Sequence, residues 1–303
     1  MGRGVGLNKK SYDLLKEIQD KYREFSKGQR AIAEYIINNY DKAAFMTASK
    51  LGEVVNVSES TVVRFAVKLG FEGYPELQKM LQDLIKSKLT SVQRIAVSSS
   101  RIDSENILKS VLQSDMDKLK ITLDNIDQEE FNNVVQCILN ARKIYILGVR
   151  SSAALASFLG FYFNLIFDNV RLVHTTSVSE MFEQIVRASE GDVVIGISFP
   201  RYSKRTIKAM QFAKDKGCKV IAITDSKKSP ISEYADYSLI ARSDMASFVD
   251  SLVAPLSVIN ALIVAVGMKK ERDVYDIFEK LETIWDEYQV YEKYDDIDIT
   301  PFD

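Results

Sequence analysis

The chain has 303 residues, 46% of them hydrophobic, enough to fill two domains of ordinary size and too apolar for a disordered chain. No run approaches the roughly 18 uncharged apolar residues of a membrane span, and the opening MGRGVGLNKK lacks the apolar region of a secretory signal, so the expected compartment is the cytoplasm. A single histidine, His174, and two distant cysteines, Cys137 and Cys218, exclude a Cys/His zinc site and a disulfide framework. No metal and no cofactor are expected, and both thiols read as buried and free. The net charge of −2 is unevenly spread: residues 1–95 carry 16 Lys and Arg against 11 Asp and Glu, and the remainder 24 against 31. A basic N-terminal part and an acidic remainder point to two different partners.

The first ninety residues show helical periodicity and no convincing strand. In FSKGQRAIAEYIINNY, Ser26 and Gln29 form the Ser-x-x-Gln version of a capping box, and Ile32, Ala33, Ile36 and Ile37 follow at helical spacing. A second helix is predicted from Thr47 through Val54 with Thr47 as N-cap, and a third from Ser58 to Leu69 with Ser58 as N-cap. Gly70 ends the third, and FEGYPELQKMLQDLIKSKL resumes as a fourth with Pro75 in its first turn. Residues 87–106, with Ser98-Ser99-Ser100, read as the linker between a domain at 1–86 and another at 107–303.

Beyond the linker the period changes. Two helical segments, ILKSVLQSDMDKLKITLDNI and QEEFNNVVQCILNA, lead to five short β-rich runs: KIYILGV, VRLVHTT, DVVIGISF, KVIAITD and DYSLIAR. Each is separated from the next by enough chain for a helix or crossover, which predicts an α/β domain, a parallel sheet with helices on both faces. SFVDSLVAPLSVINALIVAVGMK reads as a buried core or dimer helix interrupted by Asp250 and Pro255, and WDEYQVYEKYDDIDITPFD as an acidic, partly ordered tail.

Two short helices joined by Val55-Asn56-Val57 have the arrangement of a helix-turn-helix. Leu51, Val57, Val62, Val63 and Leu69 would face its core, leaving Glu59, Ser60, Thr61, Arg64 and Lys68 outside. A helix fits the DNA major groove and its N-terminal half reaches base edges, so Ser58, Ser60, Thr61 and Arg64 are the expected DNA contacts, with Lys68, Lys79 and Lys86 neutralising phosphates. The competing reading is a plain helical bundle with a solvated face. The string VSESTVVRFAVKLGFEGYPELQKML resembles the N-terminal domain of RpiR-type bacterial transcription regulators, in which a V-S-x-x-T-V-x-R-F segment is followed by L-G-F-x-G-Y.

In the α/β half, ligands are expected beyond the carboxyl ends of the strands. ILGVRSSAALASF ends a strand with Gly148 and presents Arg150, Ser151 and Ser152 at a helix start; ISFPRYSKRTIKAM does the same with Ser198, Arg201, Ser203 and Thr206. Free N–H groups at a helix start and short hydroxyls suit a phosphate. These loops resemble those of the SIS domain, a parallel five-stranded α/β/α sandwich that binds phosphorylated sugars in enzymes and regulators. Gly148 and Ser152 match its G-x-G-x-S pattern with Arg150 in place of the second glycine. Ser198 and Ser203 match its S-x-S-G-x-[ST] pattern with Pro200 and Arg201 in place of Ser-Gly.

The resemblance, helix-turn-helix followed by SIS domain, spans residues 10–270 and implies a sequence-specific regulator of carbohydrate metabolism. It would bind double-stranded operator DNA and a sugar-phosphate effector, and would work as a homodimer or homotetramer because two half-sites need two readers. A phosphosugar isomerase with an accessory helical domain is the alternative, and its general base would come from His174, Glu180 or Glu183. Glu180 sits near a helix start, where an acid is favoured for dipole reasons alone, and a sugar hydroxyl is its other expected partner. With no catalytic residue assigned, the regulator is the expected reading.

Overall fold

The computed structural model describes residues 14–88, 105–174, 177–244 and 249–291. The N-terminal unit consists of α1 (Leu14–Asp20), a 3-10 turn (Tyr22–Glu24), α2 (Lys27–Asn38), α3 (Tyr40–Ala43), α4 (Ala48–Val55), α5 (Glu59–Lys68) and α6 (Tyr74–Lys88). Its local signals act as the residue types dictate. Ser26 and Gln29 close a reciprocal capping box on α2, and Thr47 Oγ1 accepts from the Lys50 N–H at the start of α4. Gly70 takes φ 90° after α5. Its N–H then donates to the Val67 carbonyl and the Phe71 N–H to the Ala66 carbonyl, the paired bonds of a Schellman ending.

A core of Leu14, Ile18, Ile32, Ile36, Leu51, Val62, Phe65, Leu69, Leu77 and Leu81 holds these helices together. The buried Tyr74 phenol donates to the Met46 carbonyl at 2.9 Å and fixes α6 to the start of α4; burial pushes its pKa up to about 12. Two expectations need revision. Val63 is exposed, and the core position next to Val62 is filled by Phe65 and Ala66 instead, because on a 3.6-residue helix residues 62, 65, 66 and 69 share a face and 63 does not. Two short elements without a strong periodic signal, α1 and α3, were not anticipated, and Leu14 and Ile18 of α1 are fully buried.

The second unit begins with α7 (Ile107–Asp124) and α8 (Gln128–Leu139) and continues β1 (Ile144–Gly148), α9 (Ser151–Ile166), β2 (Val170–Val173), α10 (Val178–Ile185), β3 (Val193–Ile197), α11 (Lys204–Asp215), β4 (Lys219–Thr224), β5 (Tyr237–Ile240), α12 (Val253–Lys269) and α13 (Glu271–Glu287). All five expected strands form, every pairing is parallel, and the order is β2-β1-β3-β4-β5. β1 and β3 are buried along their whole length, as a sheet covered on both faces requires. One side packs Ile144, Ile146, Ile195, Ile221 and Ile223 against α9 and α12; the other packs Tyr145, Leu147, Val194, Val220 and Ala222 against α10 and α11.

Pro255 falls in the first turn of α12, where its missing N–H costs nothing, and that helix buries Val258, Ile259, Leu262 and Val266. Among the described residues no single helix is long and apolar enough to cross a membrane; α12 and α13 meet such a test only as a pair bent by 97°. The first residues of the expected tail are helical instead: Trp285 lies in the last turn of α13, its ring 5.2 Å from that of Tyr291, while residues 292–303 lie outside the described residues, as do 89–104 of the expected linker. Both cysteines are free, but only Cys218 is fully buried; Cys137 is half-buried.

Candidate functional site

The strand order decides where a ligand can sit. From β1 the chain moves one way to β2, then returns across β1 to β3 and continues outward through β4 and β5, so the direction reverses between β1 and β3. These strands pair with Gly148 opposite Ile197, which makes the two hydroxyl-bearing loops emerge side by side at their carboxyl ends. A cavity of about 440 Å³ opens there, lined by Val149, Arg150, Ser151, Ser152, Ser198, Phe199, Pro200, Arg201, Ser203, Val249, Asp250 and Leu252.

Each loop is built for close approach. A Cβ on Gly148 would lie 2.4 Å from the Ser152 carbonyl oxygen, so only glycine lets the first turn of α9 close on the end of β1. Arg150 occupies φ 58°, ψ −128°, backbone normally left to glycine, and Arg201 occupies φ 64°. Both arginines therefore stand at the glycine positions of the SIS pattern and keep the glycine-like backbone while adding a guanidinium to the cavity wall. In the second loop Ser203 is the N-cap of α11, its Oγ accepting from the N–H groups of Arg205 and Thr206, and the Ser203 N–H donates to Ser198 Oγ at 3.2 Å. Tyr202 anchors the loop by donating to Asp225 Oδ1 at 2.8 Å just past β4.

The structure thus brings Arg150, Ser151, Ser152, Ser198, Arg201 and Ser203 to one cavity. Gly148 lies behind it as a packing position. Thr206 does not reach it: the residue is fully buried one turn into α11, and its Oγ1 has no hydrogen-bond partner among the described residues. Glu180 does not line it either, being exposed on α10, and the same holds for the exposed His174 and Glu183. Sequence reasoning missed Val149, Phe199 and Pro200 within the two loops, and a third segment altogether, Val249, Asp250 and Leu252 before α12. The one signal of that third segment is the acid that interrupts an apolar stretch at residue 250. Asp250 is the one carboxylate among the described lining residues.

In the N-terminal unit, Asn56 takes φ 55° and turns the chain between α4 and α5. Gly52 makes the tight packing of this turn possible, since a Cβ there would lie 2.7 Å from the Val57 carbonyl oxygen. Ser58 has the extended backbone of an N-cap, but its side chain does not cap α5: Oγ instead pairs with Ser60 Oγ at 3.0 Å and Thr61 Oγ1 at 2.9 Å, a hydroxyl cluster that wins over the helix N–H groups. Arg64 Nε donates to the Ser60 carbonyl at 3.2 Å and its Nη2 to Thr61 Oγ1 at 3.4 Å, so the guanidinium lies along the exposed face. Lys68 is turned aside: its ammonium donates to the Glu24 carbonyl and stands 5.7 Å over the Phe25 ring. Lys79 is exposed on α6, and the side chain of Lys86 lies outside the described residues.

Two family models match: "Helix-turn-helix domain, rpiR family" over residues 12–88 and "SIS domain" over residues 137–265. The chain is an RpiR-type transcription regulator. Among its relatives are an uncharacterized HTH-type transcriptional regulator of Caldanaerobacter subterraneus, 27% identical over 280 residues and covering 90% of this chain and 96% of that one. The HTH-type transcriptional regulator HexR of Escherichia coli is 25% identical over 275 residues, covering 89% and 93%. In fold, the regulator is similar to the Vibrio vulnificus NanR protein complexed with ManNAc-6P, with a TM-score of 0.55 at 22% identity over 92% of this chain and all of the other. The sugar isomerase domain of an RpiR transcription factor from Sphaerobacter thermophilus aligns at TM-score 0.55 and 24% identity, over 58% and 98%. The relatives are named as regulators along their whole length, so the SIS fold here serves regulation and the isomerase alternative falls away.

Proposed function

We propose that this regulator controls carbohydrate metabolism by binding operator DNA through α5 and a sugar phosphate through the cavity at the ends of β1 and β3. The observation that carries the reading is the convergence of two arginines and four serines on one cavity in a chain that also carries a helix-turn-helix. Ser151 and Ser152 open α9 and Ser203 caps α11, so two helix starts offer N–H groups and hydroxyls to a phosphate, with Arg150 and Arg201 supplying the counter-charge. The NanR complex with ManNAc-6P supports the same ligand class.

Ser58, Ser60, Thr61, Arg64 and Lys68 are assigned to DNA, Lys68 reaching phosphate once it leaves the Glu24 carbonyl. The proposed boundaries are 1–86 for the reader, 87–106 for the hinge and 107–303 for the sensor. A homodimer or homotetramer fits the exposed apolar residues Leu108, Leu112 and Met116 of α7 and Val264 and Met268 of α12. Ligand binding shifts the DNA-bound state by its difference in affinity for two conformations, typically about 1–3 kcal/mol.

The test is a melting-temperature screen against hexose, pentose and amino-sugar phosphates, followed by operator binding with and without the hit. A hit that changes operator affinity is expected; no shift with any sugar phosphate sinks the sensor reading. In parallel, Arg64→Ala should weaken operator binding by about 1–3 kcal/mol and relax specificity at one base position.

A further inference from the structure

The outward face of α5 is not purely polar. Val62, Phe65, Ala66 and Leu69 point into the core. At 3.6 residues per turn, Ser60, Val63, Arg64 and Val67 occupy an arc of about 100° on the opposite side. Val63 is 37% exposed and Val67 53%. Single exposed valines are ordinary on a protein surface. These two are β-branched residues at solvent-facing helix positions, where they weaken the helix and stay only partly covered by the rest of the chain. They also flank the guanidinium that reads DNA in the regulator reading above, on which this inference rests.

We propose that Val63 and Val67 are specificity-determining residues that recognise the 5-methyl groups of thymines in the operator. In the major groove the thymine methyl is the one apolar group that a base pair presents, while a bidentate arginine selects guanine. The helix therefore carries a mixed code: Arg64 for a guanine, with Val63 beside it and Val67 one turn further along the same face. Four residues of helix rise span about 6 Å, and base pairs are spaced by about 3.4 Å, so the two valines address positions no more than about two base pairs apart. The half-site thus holds a guanine flanked by thymines within two base pairs. Ser60, which shares the arc, hydrogen-bonds through Oγ to Ser58 and stays adaptable toward either base or phosphate.

The experiment uses the full-length protein and a duplex DNA pool with a randomised core, selected through several rounds and sequenced. Enriched half-sites are expected to carry at least one thymine within two base pairs of an invariant guanine. Each such thymine is then replaced by deoxyuridine, which deletes only the methyl. Burying one methyl-sized group predicts about a fourfold loss of affinity for the unaltered protein. Val63→Ser and Val67→Ser should each bind more weakly and lose the deoxyuridine penalty at one thymine position, with an unchanged melting temperature showing that the fold is intact. The deoxyuridine comparison needs no variant and stands even if one fails to fold. Enriched sites without a thymine near the guanine, or a deoxyuridine effect below about 1.5-fold at every position, overturn the valine assignment and leave DNA binding in place. Absence of any enriched sequence overturns the DNA reading itself and this inference with it.

Discussion

Replacing Arg150 by glycine should make the protein more stable and a worse sensor, an outcome that separates the backbone of this residue from its side chain. Arg150 sits at φ 58°, ψ −128°, a region that a residue with a Cβ occupies at a cost of about 1–3 kcal/mol. Glycine relieves that strain, while its freer unfolded chain returns about 0.4–1 kcal/mol in the other direction. Among the described residues the exposed guanidinium makes no hydrogen bond, so none is lost within the protein. The net expectation is about 1 kcal/mol of stabilisation, or roughly 2–4 °C in melting temperature for a cooperative unit of this size. Toward a phosphate, losing charge-assisted hydrogen bonds costs about 1.5–3 kcal/mol, a roughly ten- to 150-fold weaker ligand. Differential scanning fluorimetry of both proteins, with and without the effective sugar phosphate, reads both effects at once. A lower melting temperature for Arg150→Gly would refute the strain argument. An undiminished ligand-induced shift would remove the guanidinium from the site.

Gly52→Ala places a Cβ 2.7 Å from the Val57 carbonyl, an overlap with backbone that cannot swing away. A loss of about 1–3 kcal/mol together with impaired DNA binding is expected in circular dichroism melts and gel shifts, and no change in either would show that the turn can give. Burial pushes the Asp236 carboxyl up, but the Lys214 ammonium at 2.7 Å, the Val220 N–H at 2.9 Å and Lys219 at 3.6 Å outweigh it and hold the pKa below the ordinary 3.8. A carboxylate depressed in the folded state stabilises above its unfolded pKa and loses that contribution as pH falls through the folded value. Asp236→Asn should therefore melt lower than the unaltered protein at pH 6 and show a flatter decline below pH ~4; parallel curves would refute this. Burial drives the Cys218 thiol up to about 11, so at pH 8 a thiol reagent should modify it only on unfolding, which mass spectrometry of labelled peptides checks.

Much of the architecture is legible in the sequence because its causes are local. Ser26, Thr47 and Gly70 do what their side chains and backbone freedom dictate within one or two turns, and five apolar runs bounded by polar loops form five parallel strands, the central β1 and β3 buried throughout. The serines at the two strand ends were visible for the same reason. Errors arose where one face of a helix had to be chosen without its neighbours. Val63 was placed inside although Phe65 and Ala66 hold that position, and Thr206 was counted in the pocket although the first turn of α11 buries it.

The sequence by itself determined the capped starts of α2 and α4, the Gly70 stop after α5, the change from helical to alternating segments, and the residue types available at each strand end, since these depend on neighbours a few positions away. The tertiary structure alone decided which strand ends stand together. Strand order is set by pairing between segments some fifty residues apart, and it is the placement of β3 beside β1 that joins Arg150 and Arg201 to the serines in one cavity and brings in Asp250 from a third segment. It also decided that Arg150 and Arg201 keep a glycine-like backbone, because that conformation is imposed by how each loop must close onto its helix.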